Sequence, residues 1–222
     1  MGGQKPVSAD LVLWGASGHA KVLAECVERL GYRVVALFDN DPGVSSPLEG
    51  VTVHVGWDGF LKWRQSWHGA VSFLVAIGGQ KGAVRLDIHD RLEREGLVPI
   101  SIVHPTAYVA GNATIGKGGQ VLANAAVGVE VRLGRQTIVN TSASVDHECV
   151  LGDGVHIAPG ATLTGCVTVG DRSLVGAGTV VLPRVRIGRD VIVGAGSVVV
   201  RDIPDGTTVA GNPARVMRAE AA

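Results

Sequence analysis

The sequence predicts an N-terminal α/β domain with a small parallel sheet, followed by a parallel β-helix. Two patterns carry this prediction. From Val103 to Val199, every sixth residue is Val, Ile or Leu, and a fixed hexapeptide period is typical of a β-helix. Before Val103, short apolar runs alternate with segments whose apolar residues have helical spacing, which favours a parallel sheet with helices packed on it.

The N-terminal domain is predicted to span residues 1–102. Gly31 and Gly96 follow the two helical segments, as glycine commonly does where a helix ends. The expected strands are 11–14, 33–38, 70–77 and 100–103, and the expected helices are 20–30 and 83–94.

Three loops rich in glycine or acidic residues follow predicted strands of this domain, at 15–19, 39–40 and 78–79. Ligands bind to α/β sheets beyond the carboxyl ends of the strands, and a helix N-terminus favours an anion such as phosphate. We therefore expect a nucleotide diphosphate here, with Asp39 reaching a ribose hydroxyl or a base edge. The run GASGHA lacks the GxGxxG spacing of a dinucleotide site. Ordinary strand–helix turns are the alternative.

The hexapeptide repeat is predicted to form residues 103–200, with three hexads closing one triangular coil. Small residues such as Ala125 and Ala143 stand two positions before the aliphatic ones, so both can face one narrow core. Glycine often follows the aliphatic residue, as at Gly116, and we expect it to supply the positive φ of a sharp turn. The period alone leaves the hand of the coil open. Residues 201–222 are expected to form a C-terminal tail.

Composition argues against several partners. Lys plus Arg and Asp plus Glu number 20 each, so the net charge is zero and nothing favours nucleic acid or a membrane surface. The sequence contains no apolar run of about 18 residues and no signal-peptide pattern. Three cysteines without a CxxC pair fit a reducing, cytoplasmic setting. Cys149 occupies an inward position of its hexad and is expected to be structural.

Ionisable residues interrupt the repeat at Asp146-His147-Glu148, where a corner usually carries small residues. Val145 is expected to point inward, so His147 should point outward. A neutral imidazole is a usable general base near about pH 7, and an adjacent carboxylate can fix its tautomer and raise its basicity. His156 should also face outward, as a donor to a carbonyl oxygen. For each histidine, an ordinary surface position is the alternative.

Several motifs together carry a family resemblance. They are the GASGH turn at 15–19, Asp39, the Ala-Ile-Gly run at 76–78, Asn140-Thr141-Ser142, Asp146-His147-Glu148-Cys149, His156 and the closing AGNPAR at 210–215. The combination covers nearly the whole chain and resembles the bacterial nucleotide-sugar acetyltransferases, a hexapeptide-repeat family with relatives that act on sialic acid. The resemblance implies a left-handed β-helix and an enzyme that uses acetyl-CoA.

The resemblance also implies a reaction. Members transfer acetyl from acetyl-CoA to the 4-amino group of a nucleotide-linked amino-deoxysugar for surface-glycan synthesis. GDP-perosamine is the favoured acceptor for this chain, and a UDP-4-amino-sugar is next. Acetyl-CoA would be a co-substrate, no metal is implied, and the expected assembly is a homotrimer with sites between subunits.

Roles for individual residues follow from the same resemblance. His147 falls on the catalytic base, and Glu148 falls on the carboxylate that supports it. The acetyl-CoA site falls on His156, Gly165, Ala177 and Ala195, with the 201–222 tail nearby, and the nucleotide-sugar site falls on Ser17, Gly18, His19, Asp39, Asn40 and Gly78. The sequence has Asp146 where the family often has Glu and Asn212 where Val is common, and neither change touches the expected chemistry.

Three other functions share features with this sequence. A γ-type carbonic anhydrase uses the same helix with three zinc-binding histidines, but after His104 the coils contain only His147 and His156. A non-catalytic nucleotide-sugar sensor would have no use for the Asp-His-Glu corner. A sialic-acid-type O-acetyltransferase is the nearest enzymatic alternative, and acetylation of a hydroxyl rather than an amine would distinguish it.

Overall fold

A computed structural model describes residues 9–219, which form two compact units. One unit comprises the chain up to Ile77 together with Asp87–Ile100, and the other comprises Gly78–Leu86 and the chain from Ser101 onward. Residues 78–86, placed in the first domain by the sequence, therefore group with the second unit. Residues 1–8 of the first predicted domain and 220–222 of the predicted tail lie outside the described residues. No described helix is long and apolar enough to cross a bilayer.

The first unit is built on a five-stranded parallel sheet with strand order β3-β2-β1-β4-β5. In chain order the elements are β1 (Asp10–Trp14), α1 (Gly18–Arg29), β2 (Arg33–Asp39), β3 (Val53–Val55), α2 (Gly56–Ser66), β4 (Ser72–Val75), α3 (Gly82–Arg94) and β5 (Val98–Pro99). The predicted α/β domain is confirmed. β3 and α2 were not predicted, and α2 has no side-chain N-cap and starts at a glycine with positive φ. The strand expected over 100–103 is wrong, because the sheet ends with β5 and Ile102–Val103 pairs within the second unit.

Aromatic side chains fill much of the core of the first unit. The Phe38 ring lies 5.6 Å from Trp14, 5.2 Å from Phe60 and 5.4 Å from Trp63, measured between centroids. All four side chains are buried. Because each ring removes a large apolar area from water, this cluster holds α2 against the sheet.

The second unit is a parallel β-helix whose two-residue strands form three sheets, which we call faces 1, 2 and 3. Face 1 contains β6 (Ile102–Val103), β9 (Gln120–Val121), β12 (Ile138–Val139), β15 (His156–Ile157), β18 (Leu174–Val175) and β21 (Ile192–Val193). Face 2 contains β7 (Tyr108–Val109), β10 (Ala126–Val127), β13 (Ser144–Val145), β16 (Thr162–Leu163), β19 (Val180–Val181) and β22 (Val198–Val199). Face 3 contains β8 (Thr114–Ile115), β11 (Arg132–Leu133), β14 (Val150–Leu151), β17 (Thr168–Val169) and β20 (Arg186–Ile187).

The C-terminal segment continues the β-helix. β23 (Thr207–Ala210) pairs in parallel with β21, and β24 (Arg215–Ala219) returns antiparallel beside it, so both strands extend face 1. The aliphatic residues of the hexads form the core of the column, and those from Val121 to Val199 are at most 4% exposed. The predicted inward position of the small residues is confirmed at Ala125 and Ala143, which are also buried.

The corner glycines have a different role from the expected one. The prediction that the glycine after each aliphatic residue adopts positive φ is wrong, because positive φ falls two residues later, as at Gly118 and Gly154. A Cβ on Gly116 would lie 2.6 Å from the carbonyl carbon of Gly134 in the next coil. These glycines are therefore needed because successive coils approach each other closely at the corners.

The start of α3 packs closely on the β-helix. A Cβ on Gly82 would lie 2.6 Å from the carbonyl oxygen of Gly154 and 2.8 Å from the Cα of Arg172. Glycine at position 82 lets the α3 backbone reach the corner between faces 3 and 1. One turn later, Arg85 enters the same region and is fully buried.

Candidate functional site

His147 and Glu148 form a paired site at the corner between faces 2 and 3, which we call the 2–3 corner. The His147 Nδ1 and a Glu148 carboxylate oxygen are 2.9 Å apart, and the side chains are 47% and 56% exposed. The His147 backbone N–H donates to Asp146 Oδ1 at 2.7 Å, and that of Glu148 donates to the Val129 carbonyl at 2.9 Å. The predicted outward direction of His147 is confirmed.

The electrostatics of the pair fix where the imidazole proton lies. The hydrogen bond with His147 lowers the pKa of Glu148, and a contact from the Cys166 thiol and the charge of Arg184 lower it further. Glu148 is therefore a carboxylate that can only accept, so Nδ1 of neutral His147 carries the proton. The lone pair is then on Nε2, which is the nitrogen that can take a proton from a substrate.

Because Gly165 has no side chain, the Nε2 edge of the His147 ring has room beside it. Gly165 occupies the same corner one coil later, and a Cβ at this position would lie 2.5 Å from His147 Cε1 and closer still to Nε2. Its φ is not positive, so the backbone itself would accept other residues. We infer that glycine is needed here to give the imidazole its room.

His156 is buried, although the sequence predicted a surface position. It projects from face 1 at the start of β15 and is 5% exposed, because the loop at Gly78 and Gly79 covers it. The Gly79 N–H donates to Nδ1 at 2.9 Å, so in that tautomer the neutral ring carries its proton on Nε2. The amide nitrogen of Asn140 lies 3.1 Å from Nε2. In the opposite tautomer, Nε2 accepts from that amide and Nδ1 can donate to the Gly79 carbonyl at 3.4 Å, so each tautomer of His156 has a hydrogen-bond partner.

Arg85 links the loop that covers His156 to the β-helix. Its guanidinium donates to the carbonyl oxygens of Gly154 at 2.5 Å, Gln136 at 3.2 Å and Gly79 at 3.4 Å. Burial lowers the pKa of Arg85 to about 10, so it remains a cation at neutral pH. Arg85 was not assigned a role from the sequence, and Gly79 was expected only as part of a loop that approaches a nucleotide phosphate.

The residues expected to hold the pantetheine arm lie at two different corners. Gly165 belongs to the 2–3 corner, whereas Ala177 and Ala195 follow β18 and β21 at the corner between faces 1 and 2. Ala177 and Ala195 are exposed. Within residues 9–219, the backbone N–H of each of these three residues has no acceptor. The exposed N–H groups of Ala177 and Ala195 can therefore donate to a ligand carbonyl oxygen, whereas Gly165 is buried beside the His147 ring.

The expected nucleotide-sugar residues of the first unit surround the β1–α1 turn. Both carboxylate oxygens of Asp39 are engaged by backbone: Ala16 N–H donates to Oδ2 at 2.8 Å and Asp41 N–H to Oδ1 at 3.0 Å. Asp39 therefore shapes this turn rather than presenting an unengaged carboxylate. Ser17 and Gly18 are exposed at the start of α1, where Ser17 makes no side-chain cap, and His19 follows in the first turn.

The two remaining residues expected at the nucleotide-sugar site, Asn40 and Gly78, lie in loops that follow strands. Asn40 follows Asp39 and is exposed. Gly78 belongs to the second unit, where a Cβ would lie 3.6 Å from His156 Cε1. The structure thus brings together His147, Glu148 and Gly165 in one place and His156 with Gly78 in another. Within one chain, His147 is at the corner opposite face 1, which carries His156.

Comparisons with known proteins show which families and solved structures this chain resembles. Residues 10–92 match the PglD N-terminal domain family, and residues 166–201 match the bacterial transferase hexapeptide family of six repeats. The structure of PerB from Caulobacter crescentus in complex with CoA and GDP-perosamine is 36% identical, with a TM-score of 0.86 over 96% of this chain and 99% of that one. The chain belongs to the nucleotide-sugar N-acetyltransferase family. No curated protein matches it.

Two further solved relatives support this family membership. The acetyltransferase domain of PglB from Neisseria gonorrhoeae, in complex with acetyl coenzyme A, is 36% identical and has a TM-score of 0.83 over 94% of this chain and 99% of that one. WeeI from Acinetobacter baumannii is 26% identical, with a TM-score of 0.84 over 93% and 99%. As a nucleotide-sugar N-acetyltransferase, the protein is an acyltransferase with a left-handed β-helix, as the sequence predicted.

Proposed function

We propose that this protein transfers acetyl from acetyl-CoA to the 4-amino group of a nucleotide-linked amino-deoxysugar. The observation that carries the proposal is the His147–Glu148 pair. Glu148 engages Nδ1 of His147, so Nε2 of His147 is available as a base beside Gly165. Support for the substrates comes from PerB, solved with CoA and GDP-perosamine, and from the PglB domain, solved with acetyl coenzyme A.

The proposed reaction is direct transfer in a ternary complex. The sugar amine attacks the thioester carbonyl carbon, Nε2 of His147 takes the amine proton, and the carbon–sulfur bond breaks to release the CoA thiolate. That thiolate then takes a proton to become the CoA thiol. Glu148 keeps Nδ1 as the donor and stabilises the positive charge that His147 acquires. Holding both substrates in place supplies much of the acceleration.

His156 fits the role of an oxyanion donor. Negative charge develops on the thioester oxygen as the amine attacks, and preorganised N–H groups lower the energy of that state. When the Gly79 N–H donates to Nδ1, the ring proton lies on Nε2, and the Gly79 and Arg85 contacts hold the imidazole in place. The exposed backbone N–H groups of Ala177 and Ala195 are suited to the pantetheine amides.

We also propose a homotrimer with sites between subunits, and the positions of the two histidines support it. His147 stands at the corner opposite face 1, which bears His156, so a single chain does not bring the base and the oxyanion donor together. Rotational symmetry would set the 2–3 corner of one subunit against face 1 of the next and complete the site. We place this assembly in the cytoplasm, at a step of surface-glycan synthesis.

The acceptor is proposed to be GDP-perosamine, with a UDP-linked 4-amino-sugar next. The test is acetyl transfer from acetyl-CoA to a panel of GDP-, UDP-, CDP- and dTDP-linked 4-amino-sugars and to sialic acid, with products identified by mass spectrometry and NMR. We expect amide formation at the sugar 4-amino group, fastest with the GDP-linked sugar. Acetylation of a sialic-acid hydroxyl alone would replace the proposal by O-acetyl transfer, and nucleotide-sugar binding without transfer would indicate a sensor.

A further inference from the structure

Cys166 stands beside the His147–Glu148 pair and has no part in the proposed reaction. It lies 18 residues after Glu148, one coil further along the same corner, and its sulfur is 3.7 Å from Glu148 Oε2. The His147 N, the Glu148 O and the Cys166 S atoms all lie within 4.8 Å of one another. Within the single chain, His147 and Glu148 are exposed and Cys166 is partly exposed.

We propose that these three side chains form a Zn²⁺ site and that zinc bound there inhibits the enzyme reversibly. Zinc prefers cysteine sulfur, histidine nitrogen and carboxylate oxygen, in a tetrahedron with bonds of about 2.0–2.3 Å. In such a tetrahedron the ligand atoms are separated by about 3.2–3.8 Å. The observed 2.9 Å and 3.7 Å separations therefore need small side-chain adjustments.

The charge of the cluster also suits a divalent cation. Zinc displaces the thiol proton of Cys166, so one thiolate and the Glu148 carboxylate together neutralise the two positive charges. Three protein ligands leave the fourth position to water. Because a proton is released, affinity for zinc should rise with pH.

The same geometry explains why zinc would inhibit, a step that rests on the proposed function. Nδ1 is the ring nitrogen beside Glu148, so it is the one that can bind the metal together with that carboxylate. Neutral imidazole coordinated through Nδ1 carries its proton on Nε2. Nε2 then has no lone pair with which to take the proton of the sugar amine, and acetyl transfer stops until zinc leaves.

The site belongs to Cys166 and not to the other two cysteines. Cys166 adopts φ 63°, which turns its side chain along the outer corner, a backbone position that glycine and asparagine also accept. Cys149 is fully buried and its thiol donates to the Thr164 carbonyl at 3.2 Å, and Cys26 is fully buried in the first unit.

Metal binding is tested first, without substrates. Co²⁺ bound by a thiolate gives a ligand-to-metal charge-transfer absorption, and Zn²⁺ binding is followed by calorimetry. We expect both in the wild type, and we expect Cys166→Gly and Cys166→Asn to lose the cobalt band. Their zinc affinity should fall by at least the ~10–100-fold that loss of an outer-shell partner costs. Cys26→Ala is the matched control and should bind like the wild type.

Inhibition is tested next, with free zinc fixed by a metal buffer because released CoA also binds zinc. Zinc should abolish acetyl transfer by the wild type and by Cys26→Ala, EDTA should restore it, and Cys166→Gly should stay active at the same free zinc. Absence of the cobalt band in the wild type would overturn the site and leave the proposed function untouched. Equal inhibition of Cys166→Gly would also overturn it. Zinc bound at these ligands without inhibition would overturn the inhibitory role and count against His147 as the base.

Discussion

Gly165 determines how much room the His147 imidazole has. A methyl group there would overlap the Nε2 edge, whereas the backbone at this position tolerates a side chain. We predict that Gly165→Ala turns the ring away and lowers kcat/KM by about 10- to 100-fold, as small misplacements of a catalytic group do. The free energy of unfolding should change little, because the imidazole lies at an exposed corner.

Gly111 supplies the matched control for this prediction. It occupies the same corner of an earlier coil, and a Cβ there would meet nothing within 4 Å. Steady-state kinetics and thermal unfolding of both alanine variants check the idea. Equal effects of Gly165→Ala and Gly111→Ala would show that the gap beside His147 is unimportant.

Cys149 is adjacent to Glu148 in sequence but is unsuited to form an acetyl-enzyme. Its side chain is in the core, its thiol donates to Thr164, and burial raises the pKa of the thiol to about 11. At neutral pH it is therefore protonated and inert. We predict a sequential mechanism in which Cys149→Ala keeps activity within a few-fold and loses about 1 kcal/mol of stability from the vacated volume.

Isotope exchange distinguishes the two mechanisms. Without sugar, labelled CoA should not exchange with acetyl-CoA, and double-reciprocal plots should intersect. Parallel lines together with an acetylated Cys149 peptide would establish a covalent intermediate instead.

At the scale of elements, α3 and the loop before it make His156 part of a structured site. Arg85 donates to three backbone carbonyls, of which Gly79 belongs to the loop that covers His156. Lysine cannot reproduce the planar fork of a guanidinium. We predict that Arg85→Lys lowers the free energy of unfolding by about 1–3 kcal/mol, since buried carbonyls lose their donors. Chemical denaturation measures this, with the exposed Arg94→Lys as control, and unchanged stability of Arg85→Lys would contradict the role.

Elements with strong periodicity could be predicted from the sequence, and contacts between distant segments could not. The hexad phase places Val145 inward and His147 outward, so the exposed His147–Glu148 pair could be predicted from the local pattern alone. His156 was expected at the surface because its cover, Gly78 and Gly79, lies far away in the sequence. The role of corner glycines was misread for the same reason, since a close approach between coils leaves no local signal.

For the whole molecule, the central question is whether the two histidines of one site come from different subunits. We predict that His147→Asn and His156→Ala are each nearly inactive, and that co-expressed mixtures regain about one quarter of wild-type activity in a cyclic assembly. Only interfaces that combine an intact His147 with an intact His156 would be active.

A second mixture controls for nonspecific rescue. His147→Asn and Glu148→Gln alter the same corner of the same subunit, so co-expressing them restores no complete pair, and activity should stay at the average of the two parents. If the first mixture also stays at the average of its parents, the two histidines do not meet across subunits.

General-base catalysis by His147 is the claim on which the account depends most. The most direct measurement is the turnover of His147→Asn at saturating amino-sugar and acetyl-CoA, with CoA affinity measured in parallel by calorimetry. We predict a fall in kcat of at least ~10² with nearly unchanged CoA binding, because only proton removal from the amine is lost. Turnover close to that of the wild type would contradict the account and assign the proton to another group.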